Sequence, residues 1–131
     1  MTDVVEEMIT TALRDLPYPV SQPPGDSDAA TWITWSETSQ LFGQASSNVS
    51  RRTRHMLQIH AFHHRGYYTE TMDSEDANAH RQALFEAIKE LRKAKVRIWS
   101  TGMDELEKDT DIYHISCTAE WWEPIEQGGE S

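Results

Sequence analysis

Four of the six histidines fall between positions 55 and 64: His55, His60, His63 and His64. Imidazole is the commonest metal ligand and changes charge near neutral pH, so metal binding is the first chemistry to weigh. The stretch Arg52–His64 alternates in polarity and reads as one long strand. Strand residues rise about 3.3 Å each and alternate faces, so a chelating pair needs a spacing of two, and these histidines offer none. His63 and His64 face opposite ways, and His60 and His64 stand about 13 Å apart by the same rise. No metal site is expected from this set. A polar sheet face or a subunit contact that titrates near neutral pH is expected instead.

Nucleophilic chemistry fares no better. Cys117 is the single cysteine and lies in phase with Ile115 and Ala119, which places it in a core. His114 is on the opposite face of the same strand and cannot activate it. Ser116 is in phase with His114 but lacks the glycines of a nucleophile elbow. Glu70, Asp73, Glu75 and Asp76 lack the glycine-punctuated spacing of a calcium loop and suit a helix N-terminus. The sequence has neither a P-loop nor a dinucleotide-binding glycine pattern. These absences point to a protein that binds rather than catalyses, with no cofactor.

One charged cluster stands out. Arg51, Arg52 and Arg54 enter the histidine-bearing strand and Arg65 leaves it, within a chain of net charge −10. The reading is a solvated edge or an electrostatic contact with an acidic neighbour, including another copy of the chain.

The elements that would position these residues follow from periodicity. Val4, Val5, Met8, Ile9, Ala12, Leu13 and Leu16 form one helical stripe, with Asp3 and Glu6 as a capping pair and Pro17 and Pro19 as the stop. Thr31–Trp35 is a short strand, with Ile33 and Trp35 on one face and Trp32 and Thr34 on the other. Polar Ser36–Ser50 reads as a long loop, the best candidate for ordering on contact with a partner. A long helix is predicted from about Ser74 to Lys95, burying Ala77, His80, Leu84, Ala87, Ile88 and Leu91. A short strand follows at Val96–Trp99, then an acidic turn at Thr101–Asp109. The last strand is Asp111–Trp122, and residues from about 125 to 131 are expected to fray. The fold class expected is α+β: an antiparallel or mixed sheet of about four strands, packed on one face by two α-helices and open on the other. Residues 1–131 make a single domain of ordinary size.

Composition sets further bounds. Five Trp, four Tyr and three Phe argue for a packed core. The net charge of −10 disfavours duplex DNA and anionic membranes. A lone cysteine allows no intrachain disulfide, as expected of a reducing compartment. The acidic residues near Met1 are unlike a signal peptide, and no run approaches the roughly 20 apolar residues of a membrane span.

Taken in order, these segments resemble the tail-terminator (tail-completion) proteins of long-tailed bacteriophages. The resemblance runs from Asp3 to Trp122. It is carried by the opening amphipathic helix leading into Pro17-Tyr18-Pro19-Val20, the aromatic strand Trp32-Ile33-Thr34-Trp35, and the central strand Leu57-Gln58-Ile59-His60-Ala61-Phe62. The helix Arg81–Arg92 with Leu84, Ile88 and Leu91 follows, then Asp109-Thr110-Asp111-Ile112-Tyr113-His114 leading into the final strand. Where that family often has a glycine turn after the long helix, Ala94-Lys95-Val96 stands here. His63-His64 and Trp121-Trp122 are also unusual.

The resemblance implies a virion structural protein that forms a hexameric ring at the head-proximal end of the tail. Such a ring ends the tail tube, meets the tube protein and the head-tail connector or stopper protein, and passes DNA through its lumen without specific binding. It would assemble in the host cytoplasm. Another neck protein of similar fold, a monomeric adaptor and a histidine-based metal enzyme are the alternatives. Ring closure needs two different patches. The open sheet face offers Met56, Phe62, Ile112 and Trp122. Arg51, Arg52, Arg54 and Arg65 offer positive charge, and the Asp104–Asp111 turn, with Asp109 and Asp111, offers negative charge.

Overall fold

The computed structural model describes residues 4–25, 28–42, 53–64, 78–102, 104–107 and 112–123. The elements are α1 (Val4–Ala12), β1 (Val20–Ser21), β2 (Thr31–Phe42), β3 (Thr53–His64), α2 (Ala79–Lys93), β4 (Arg97–Thr101), β5 (Glu105–Glu107) and β6 (Ile112–Trp122). They form an α+β fold: a mixed six-stranded sheet of order β1-β2-β3-β6-β4, with β5 also paired to β6. Every pair is antiparallel except β1 with β2.

Period-two alternation decides what the sheet buries. Ile33, Trp35, Leu57, Ile59, Ala61, Cys117, Ala119 and Trp121 point to one side and join Val5, Ile9, Leu13, Ala83, Leu84, Ala87 and Leu91 of the helical layer in one core. Each of the Val, Ile and Leu side chains among these contributes roughly 1.5–3 kcal/mol when fully buried, the alanines less. Both helices therefore cover the same face of the sheet. Met56, Gln58, His60, Phe62 and His64 on β3 alternate out of that core and remain half-buried on the other face.

Several element boundaries differ from the sequence reading. Ser36–Phe42 is not loop but the second half of β2, paired with β3 down to Phe42↔Thr53. Its polarity misled because a strand with one open face needs no apolar alternation there, and Glu37 on the core side is matched by a histidine. The acidic turn at Thr101–Asp109 contains β5, which continues the edge after a break where Gly102 N–H donates to the Ser116 carbonyl at 2.5 Å. The first helix ends at Ala12, before the predicted Leu16, and passes into a tight turn with Leu16 N–H on the Leu13 carbonyl at 3.2 Å. β1 escaped notice because two residues beside prolines carry no periodicity. The predicted helix start at Ser74 and the tail from 125 lie outside the described residues.

The helix α2 ends in a Schellman turn. Lys95 has φ 70°, its N–H bonds the Arg92 carbonyl at 3.1 Å, and the Val96 N–H bonds the Leu91 carbonyl at 3.0 Å. A lysine thus occupies the left-handed position that glycine fills most cheaply. At the other end of the sheet, Gly25 at φ 83° turns the chain across β2. A Cβ there would lie 2.6 Å from Thr34 Cγ2 and 3.0 Å from Trp32 Cδ1. That close approach buries Trp32 and Thr34 although they sit on the open face.

Candidate functional site

The open face carries a row of rings that no single segment encodes. Register sets Trp32 opposite Phe62 and Phe62 opposite His114, so three strands deliver one ring each to a line. Trp32 stacks on Phe62 at 5.1 Å between centroids, and Phe62 on His114 at 4.5 Å. His64 lies against Trp32 at 4.9 Å, and His60 stacks on His114, also at 4.9 Å. Offset stacked rings add about 0.5–1.5 kcal/mol per pair beyond the area they bury.

Within this row His60 Nδ1 and His114 Nε2 are 2.6 Å apart, and His60 Nε2 is 3.2 Å from Gln58 Oε1. A carbonyl oxygen accepts, so His60 Nε2 carries a proton and donates to Gln58. With His60 neutral, its Nδ1 accepts from His114 Nε2–H. Burial, and then the charge of His114, push the His60 pKa down from 6.5, which favours that neutral form.

A second cluster lies further along β6. Arg97 lies opposite Glu120 and Ile98 opposite Ala119, so Trp99 alternates onto the open face beside Arg97. Its Nε1–H donates to Glu120 at 3.0 Å, Trp122 Nε1–H donates to the same carboxylate at 3.2 Å, and Arg54 Nε–H completes the set. Burial pushes the Glu120 pKa up. The hydrogen bonds from Arg54 and Trp99, the Arg54 charge and the Trp122 bond outweigh it and hold the carboxyl below 4.5. The Arg97 guanidinium carbon lies 4.4 Å from the Trp99 ring centre, a cation–π contact. Trp99 itself remains 50 % exposed.

On the helix-covered side two further histidines are locked into structure. His55 is buried and bridges Glu37 through Nδ1 at 2.6 Å and Glu123 through Nε2 at 2.8 Å, with its ring over Trp121 at 5.6 Å. Burial lowers its pKa, but the hydrogen bonds and charges of the two glutamates win and raise it above 6.5. Both nitrogens then donate, as an imidazolium requires. His80, fully buried, bonds Asp104 through Nε2 at 2.6 Å and stacks on Tyr113 at 5.0 Å, while Arg81 Nε holds the other Asp104 oxygen. Burial pushes the Cys117 thiol up to about 11, the Arg92 charge opposing it only in part, so the thiol is a core group and not a nucleophile.

Of the residues expected at an interface, Arg54, Met56, Phe62 and Trp122 lie on the open face. Arg51, Arg52, Arg65, Asp109 and Asp111 lie outside the described residues. Arg54 is engaged by Glu120 of its own chain, and Asp104 by His80 and Arg81. Arg97, Trp99 and Glu120 meet only through the pairing of β4 with β6, which alternation within either strand does not reveal. The His60–His114 contact is diagonal across two strands and depends on register. Among the described residues no group of three or more His, Cys, Asp or Glu is arranged to hold a metal ion, and no helix is long and apolar enough to cross a membrane. Comparison with protein-family models found no match, and a search of curated proteins likewise found none.

Proposed function

We propose that this chain is a structural subunit of a bacteriophage tail, a terminator that assembles with copies of itself into a ring, about six in the related family. The ring ends the tube at its head-proximal side and presents a surface to the connector or stopper. The observation that carries this reading is the open sheet face, where ring stacks and the Trp99–Arg97–Glu120 cluster lie with no helix of the described residues over them. Trp and Arg are the side chains that dominate binding energy at protein interfaces, and a carboxylate with three donors holds two indoles in place before any partner arrives. A net charge of −10 suits a lumen that passes DNA without gripping its phosphates.

The reading assigns the chain no catalysis. The His60–His114 contact favours the rival, a metal-dependent enzyme, but two imidazoles make half of a tetrahedral set. Metal analysis of untagged protein discriminates: stoichiometric zinc supports the rival and overturns the structural reading. Native mass measurement tests the ring. One discrete species of about six copies is expected, and a monomer at every concentration counts against it.

A further inference from the structure

Two patches on opposite sides of the sheet carry apolar surface and opposite charge. The first is the Trp99–Arg97 knob on the open face. The second is a groove of about 380 Å³ on the helix side, lined by Val4, Met8 and Ala12 of α1, Ala94 after α2, and Trp121 of β6, with exposed Glu7 also lining it. Val4 is 45 % and Trp99 50 % exposed, both unusual for large apolar side chains in the described residues. Among those residues no carboxylate pairs with Arg97 and no cation with Glu7.

We infer that Trp99 of one copy inserts into the α1 groove of the next, with its Arg97 meeting that copy's Glu7. The inference rests on the self-assembly reading and names the surfaces that carry it. The groove volume lies in the range, roughly 300–1,000 Å³, of sites that take small ligands, enough room for one indole ring. Its apolar walls take the ring, and its carboxylate takes the guanidinium that already lies over that ring. A second copy is the occupant because this chain supplies both halves of the match: an exposed cation lying over an exposed indole, and an exposed acid at the groove. Knob and groove are different patches, so the contact is heterologous and runs head to tail, closing into a ring or propagating as a filament. Glu120 acts here as a positioning residue, fixing the indole through its N–H.

The test uses the full chain, with association read by sedimentation velocity and native mass, and folding by circular dichroism. Trp99→Ala is expected to weaken self-association at least about 30-fold, the effect of a buried aromatic hot spot. Arg97→Glu weakens it at least about 10-fold by placing two carboxylates together, and adding Glu7→Arg to that variant restores it. Ala12→Trp, which fills the groove, blocks it. A wild-type ring that persists in Trp99→Ala and Arg97→Glu overturns this docking while leaving the ring itself intact. Failure of the charge swap to restore association overturns it too. A wild-type chain that stays monomeric at millimolar concentration, with and without tail tubes, overturns both.

Discussion

Replacing Glu120 with alanine removes the acceptor on which Arg54, Trp99 and Trp122 converge. A hydrogen bond to a charged group contributes about 1.5–3 kcal/mol, but the three are not equal. The Arg54 side chain is 27 % exposed, so water recovers part of its loss and the low end applies. Trp99 is half exposed and loses little. Trp122 is half-buried and the loss of its hydrogen bond to Glu120 costs about 1 kcal/mol. The expected destabilisation is therefore about 3 kcal/mol, or roughly 10 °C in Tm for a domain of this size. Glu120→Gln, which keeps one acceptor oxygen, loses about half as much. The pH dependence follows with a definite sign. The folded carboxyl titrates below 4.5, so its contribution is full above that value and fades as pH falls through the lowered one. Urea unfolding of wild type, Glu120→Ala, Glu120→Gln and Arg54→Met between pH 3 and 7 reads both quantities. A Glu120→Ala variant within about 0.5 kcal/mol of wild type, or an acid limb unchanged in Glu120→Gln, refutes the reasoning, since ordinary surface substitutions fall in that range.

His55 has the opposite sign. Its pKa is raised by Glu37 and Glu123 against the effect of burial, so its stabilisation is complete below 6.5 and fades as pH rises through the raised value, and Glu37→Gln flattens that alkaline decline in thermal melts. Lys95→Gly relieves the positive φ and is expected to raise stability by about 1 kcal/mol, seen as a shift of the denaturation midpoint at constant m-value. The Cys117 thiol, buried and raised to about 11, reacts with a thiol reagent only as fast as the protein unfolds, which the denaturant dependence of labelling checks.

Local periodicity carried much of the architecture. The stripe through Val5 and Ile9 and the alternation of Leu57, Ile59 and Ala61 were legible because burial repeats at the period of each element. Cys117 could be placed in the core, and Phe62 and Trp122 on the open face, for the same reason. What was not legible depends on pairing between strands. Ser36–Phe42 looks like loop until β3 is laid beside it: Glu37 reads as solvent-facing, yet it bonds buried His55, distant in sequence. The spacing argument against paired histidines held along β3 and failed across strands, where His60 meets His114. Trp99 follows Arg97 by ordinary alternation, but that the two share the face of Glu120 depends on β4 pairing with β6, which no local pattern announces. Lys95 stands where a glycine would have announced the turn.

The central claim is that the chain caps a tube by self-assembly. Electron microscopy of the purified protein mixed with its cognate tail tubes tests it most directly. The account predicts a single ring of about six copies seated at one end of each tube, and tubes that no longer lengthen. Bare tube ends that keep growing in the presence of excess protein would contradict it.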